Sequence, residues 1–134
     1  MIRNILAVIA GLVVGSIVNM GLINLGHAVI PLPPGADVST FEAVKASMPL
    51  FGPEQFIVPF VAHGLGTLAG ALVAALVAAS HKFKIAIGIG VLYLLGGIAM
   101  VFMLPAPIWY DVIDLVFCYI PAAWVGAKLG GARS

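Results

Sequence analysis

The stretch FIVPFVAHGLGTLAGALVAALVAA, residues 56–79, decides the fold. It carries no Asp, Glu, Lys or Arg, and at ~1.5 Å of rise per residue a helix of this length crosses a hydrocarbon core about 30 Å thick. Gly66, Thr67, Gly70, Ala74 and Ala78 recur along it at helical spacing, with His63 at one end of the same face. Lipid tails are as apolar as leucine, so helices in a bilayer associate where small residues let their backbones approach. Such a helix needs partners, and the flanking sequence supplies three.

Upstream lies the apolar run 5–30, and downstream lie 85–104 and 108–127. The breaks between them are marked. Pro31-Leu32-Pro33-Pro34-Gly35 ends the first run, because proline cannot continue a helix. Ser80-His81-Lys82-Phe83-Lys84 divides the second from the third, and Pro105-Ala106-Pro107 turns the third into the fourth. The last two connections are short enough only for antiparallel hairpins. The reading predicts one integral membrane domain over 1–134: an all-α, four-transmembrane-helix antiparallel bundle.

Composition points the same way. Of 134 residues, 63% are hydrophobic and 8% charged, and the mean hydropathy is +1.20. A soluble domain this small needs far more polar surface, and a net charge of +1 offers no basic stripe for nucleic acid. The single cysteine, Cys118, excludes an internal disulfide and is expected to pack as a small apolar residue. Run 5–30 is too long for the core of a secretory signal and is followed by no small-x-small cleavage site, so it reads as a retained span.

Five of the six cations, Arg3, Lys82, Lys84, Lys128 and Arg133, fall on one side of this topology, and Lys45 falls on the other. The positive-inside bias then predicts cytoplasmic termini, in what reads as a prokaryotic cytoplasmic membrane. Trp109 and Tyr110 come at the outer interface, where aromatic rings favour the headgroup level. The outer loop, 31–55, contains Ser39-Thr40-Phe41-Glu42 in the Ser-x-x-Glu form of a capping box. Phe41, Val44 and Met48 follow at helical spacing, and Pro49 stops the run. This predicts a short amphipathic helix that covers the bundle end or forms a lid over a cavity.

Gly11-x-x-x-Gly15 and Gly66-x-x-x-Gly70 match the close-packing motif of membrane helices. Asn19 and Gly26 extend the first stripe with Ser16 at its edge; Gly96, Gly97, Ala122, Ala123, Gly126 and Ala127 provide small residues on the last two spans. The stripes serve either packing within one bundle or association with a second copy or another membrane protein; the lipid bilayer is the remaining partner.

Polar groups inside the spans are few and cluster towards the outer side. Counting ~1.5 Å per residue, His27 and Asp111 lie about 5 Å deep, Asn24, His63 and Asp114 about 10 Å, and Asn19 about 16 Å. Ionisable groups at such depths face protein or water. Asp111 and Asp114, three residues apart, are neighbours on one helix face. Asn24, His27, His63, Asp111 and Asp114 are therefore the candidate ligand-binding residues. They suit a hydrogen-bonded structural cluster, a solvated cavity for a small solute or cation, or a metal site with His63 and Asp114 as ligands.

The remaining features carry structural expectations. Tyr110, Phe117 and Trp124, seven residues apart, read as a packing or lipid-facing row. Pro59 falls in the first turn of the second span, and Pro121 is expected to kink the fourth. Arg3 and Asn4 mark the cytoplasmic edge, and His81 is a solvated turn residue. No phosphate loop, Gly-x-Ser-x-Gly or paired-cysteine motif is present, no cofactor is signalled, and no catalytic residue can be named. The leading expectation is a small, non-enzymatic polytopic membrane protein that binds or helps move a small solute or cation. The alternatives are an accessory subunit of a larger membrane complex and a metal-dependent membrane enzyme.

Overall fold

A computed structural model describes residues 1–133. The chain is an all-α bundle of four apolar spans. Helix α1 covers Ile2–Val29, α3 Pro53–Val77 and α4 Lys82–Met103; the fourth span, Ile108–Leu129, is divided into α5 (Ile108–Phe117) and α6 (Ile120–Leu129). All four are long and apolar enough to cross a membrane. Between α1 and α3 lie the short α2 (Phe41–Ser47) and a 3-10 turn, Met48–Leu50.

The half of the bundle on the side of the two termini, called inner for the topology the cations predict with the other half called outer, is held by small side chains. Ala7, Ala71, Ala74, Ala75, Ala86, Ala123 and Ala127 are fully buried. The two Gly-x-x-x-Gly motifs face each other: a Cβ on Gly11 would lie 2.7 Å from the Gly70 carbonyl oxygen, and one on Gly70 2.6 Å from that of Gly11. Gly15 and Gly66 repeat the arrangement one turn outward, at 2.7 and 2.9 Å. No side chain fits at these positions, so α1 and α3 meet backbone to backbone within the molecule. Helix α6 docks against α3 and α4 in the same manner. A Cβ on Gly126 would strike the Leu68 carbonyl oxygen, and one on Gly90 would come within 2.6 Å of Ala123 Cβ. Gly90 escapes notice in the sequence because it belongs to no Gly-x-x-x-Gly pair with a partner on its own face.

Several local expectations need correcting. Helix α2 starts one residue later than the Ser39 capping box implies: Thr40 is the N-cap, its hydroxyl accepting the Ala43 N–H at 3.1 Å. The Ser39 N–H is already committed to Asp37 Oδ1 at 2.9 Å. That bond, with the Ser39 hydroxyl, holds the exposed Asp37 carboxyl below the usual carboxylate range. Met48 leaves the α-helix and joins the 3-10 turn with Pro49. Helix α3 begins at Pro53, where Gln55 Oε1 accepts the Gly52 N–H at 2.6 Å, so Pro59 lies inside the helix, beyond its first turn. Asn4 does more than mark an edge: its Oδ1 accepts the Ala79 and Ser80 N–H groups at 2.9 and 3.3 Å, closing the turn after α3. Arg3 Nε donates to the Val77 carbonyl at 2.6 Å beside it.

The break in the fourth span has a covalent cause. Pro121 sits in the first turn of α6; it has no N–H for the Phe117 carbonyl and its ring crowds that carbonyl, so a continuous helix through this point is costly. The chain interrupts itself at Cys118 and Tyr119 rather than bending. Cys118 is buried and its thiol donates to the Phe60 carbonyl on α3 at 3.2 Å, so it bonds as well as packs.

A candidate ligand cavity in the outer half

Above the glycine contacts the helices part and enclose a cavity of about 530 Å³, lined from every span and from the outer loop. Its floor is at the level of Gly15 and Thr67. There Tyr93 of α4 donates its hydroxyl to the Leu12 carbonyl at 2.6 Å and lies 3.3 Å from Ser16 Oγ. Its roof is α2 and the following turn. Val44, Met48 and Phe51 face the cavity and pack with Phe56 and Tyr110, while Phe41 remains 41% exposed. The short outer helix therefore has the position of a lid.

One wall is a polar cluster centred on Asp114. This residue is only 6% exposed, and both of its carboxylate oxygens are occupied. His63 Nδ1 lies 2.8 Å from Oδ1, the Tyr119 hydroxyl donates to Oδ2 at 3.1 Å, and the Tyr110 hydroxyl reaches Oδ1 at 3.5 Å. The helix break makes the Tyr119 contact. On a continuous helix a residue five positions after Asp114 would point roughly 140° away from it; the interruption at Cys118–Tyr119 returns the ring to the site. Tyr119 also stacks on the His63 ring, with centroids 6.1 Å apart and planes at 27°. Thr67 donates to the His63 backbone carbonyl at 2.8 Å.

A buried carboxylate beside Nδ1 fixes the imidazole. With the Nδ1 proton donated to Asp114, Nε2 is turned away from the carboxylate and, in the neutral imidazole, is an acceptor. His63 lines the cavity, and none of its other hydrogen bonds to described residues involves Nε2. The cluster thus presents one oriented imidazole nitrogen to a mainly apolar chamber.

The sequence-predicted residues divide into two groups. His63 and Asp114 meet. Asn24, His27 and Asp111 line the same cavity, and their side chains make no hydrogen bond or ion pair to another described residue. Among the described residues no three His, Cys, Asp or Glu side chains gather closely enough to hold a metal ion. The seven-residue aromatic row does not share one environment: Phe117 and Trp124 are 58% and 49% exposed, whereas Tyr110 is buried in the cluster. Tyr93, Tyr110 and Tyr119 escaped the sequence reading as site residues, although tyrosines are among the few groups able to satisfy a buried carboxylate while still packing as apolar rings.

The architecture defines a small polytopic membrane protein. Comparison with protein-family models, with curated proteins and with solved structures finds no match.

Proposed function

We propose that this protein binds a small solute in its outer-half cavity and does so without chemistry. The observation that carries this reading is the His63–Asp114–Tyr119 arrangement on the wall of a 530 Å³ chamber. That volume is within the range of small-molecule pockets, and such pockets are mostly apolar with a few fixed polar groups. The chamber stops at mid-bundle, where the glycine contacts and Tyr93 pack the inner half. This favours a binding vestibule over a through-path for ions. The Gly-x-x-x-Gly stripes are consumed inside the molecule, which weakens the reading as an accessory subunit docked through them.

Native mass spectrometry of the protein released from mild detergent tests the binding reading. A retained small molecule is expected in the wild type, with occupancy lowered about tenfold in His63→Ala, the loss of one good hydrogen bond to a polar group. Equal occupancy in both proteins would remove His63 from the site.

The same proposal places the cavity mouth on the outer side of a prokaryotic cytoplasmic membrane, both termini inside, from the distribution of the six cations. In a Cys118→Ala background, impermeant thiol reagent applied to intact cells is expected to label Lys45→Cys and not Lys82→Cys. The reverse pattern would invert the threading.

A further inference from the structure

The cavity is open sideways. Helices α1 and α4 touch in the inner half, where Tyr93 reaches Leu12 and a Cβ on Gly11 would lie 3.1 Å from Ile89 Cδ1. Further out they do not cover each other. Met20 on α1 and Met100 on α4 line the cavity yet are 60% and 42% exposed, and the cavity-lining Asn24 and Gly96 are exposed as well. A Cβ built on Gly96 meets nothing within 4 Å, whereas one on the adjacent Gly97 would lie 2.7 Å from the Tyr119 hydroxyl. Gly96 is seven residues from the outer end of α4, about 10 Å down the helix by its rise. At that depth the bundle is surrounded by acyl chains, so the gap leads into the outer leaflet and not to water.

With the histidines neutral, the carboxylates of Asp111 and Asp114 are the only formally charged groups among the described residues that line the chamber. In the neutral imidazole His63 Nε2 is an acceptor when Nδ1 donates to Asp114, and Asp111 contributes a carboxylate whose oxygens have no partner among the described residues. No Lys or Arg is among the described residues that line the cavity. With both lining histidines neutral, an anionic head, such as a fatty acid or a phosphate, finds no cation there, while an ammonium group finds the Asp111 carboxylate and His63 Nε2. The side opening is flanked by Met20 and Met100, unbranched side chains that adapt to a flexible alkyl chain.

We propose that the ligand is a single-chain amphiphile with an amine head, entering from the outer leaflet between α1 and α4. Its head lies towards Asp111 and His63, and its chain passes out between Met20 and Met100 beside Gly96. This assignment rests on the binding reading above and adds to it the ligand class and the route of entry.

The test uses the full chain in phosphatidylcholine nanodiscs. The probes are hexadecylamine and hexadecanoic acid, each carrying a diazirine in mid-chain. Labelling of the outer halves of α1 and α4 is expected to favour the amine by about tenfold, the scale of a hydrogen bond to a charged group. Gly96→Phe, which fills the opening without a backbone clash, is expected to abolish it. Gly88→Phe, at a second position with open space and outside the cavity lining, is expected to leave it unchanged. Asp111→Asn is expected to reduce the preference for amine over acid. Should Gly96→Phe not fold, Met20→Trp narrows the same gap from α1 and carries the test.

Equal labelling by amine and acid overturns the ligand class, and undiminished labelling in the folded gap variant overturns sideways entry. Complete disulfide crosslinking of Gly96→Cys in a Cys118→Ala background, with no lipid labelling, means that a second copy closes the gap, and also overturns it. If labelling fails while native mass spectrometry still detects a His63-dependent small molecule, this inference falls and the binding reading stands. If both fail, both fall.

Discussion

Replacing Gly70 by leucine is expected to cost the bundle on the order of 3 kcal/mol, the upper range for forcing volume into a packed site. Its first added carbon already lies 2.6 Å from the Gly11 carbonyl oxygen, a backbone atom that cannot rotate aside. The two helices must separate, and the close approach that binds them is lost. Alanine shows the same effect with opposite signs at different glycines. Gly70→Ala and Gly11→Ala are expected to lower the melting temperature in detergent. Gly88→Ala is expected to raise stability by up to about 1 kcal/mol, because it meets open space and alanine is the better helix former. Leu95→Ala, at a side chain 58% exposed on α4, is expected to change stability by less than about 0.5 kcal/mol, as for other exposed positions. A Gly70→Leu variant that melts with the wild type would mean that α1 and α3 do not meet at these glycines.

The spans were legible because hydrocarbon thickness sets their length and prolines mark their ends. Their starts were less so. Helices α3 and α4 begin three residues before the apolar runs, at Pro53 and Lys82, because a helix continues into the polar interface where hydropathy gives no signal. Depth counting was enough to place His63 and Asp114 at one level. It could not place Tyr119, whose direction depends on a helix break. Pro121 announced that break, but proline alone does not say whether a helix bends or interrupts itself. The cavity was the least legible feature. Its side opening lies where Gly96 of α4 faces open space and α1 offers the flexible Met20 at the rim, and that pairing belongs to two helices distant in sequence.

Asp114→Ala is expected to be the most damaging change in the outer half, destabilising by about 3 kcal/mol, the upper range for a buried polar group left without its partner. The carboxylate accepts from one imidazole and two tyrosine hydroxyls, and its loss leaves these donors facing an apolar pocket. Asp114→Asn is expected to be milder, since an amide oxygen still accepts from His63 and the Tyr119 hydroxyl can rotate to accept from the amide nitrogen. His63→Ala and Asp114→Ala are expected to be non-additive, with a coupling of about 1–3 kcal/mol in a double-mutant cycle. A control at the third histidine must respect its backbone. His81 has φ 52°, a left-handed conformation that strains residues carrying a Cβ and not glycine, so His81→Gly is the substitution expected to cost no stability. Unfolding in detergent gives all four corners of the cycle. Coupling near zero between positions 63 and 114 would mean that the imidazole is not held by the carboxylate, and the oriented Nε2 on which the cavity's chemistry depends would be lost with it.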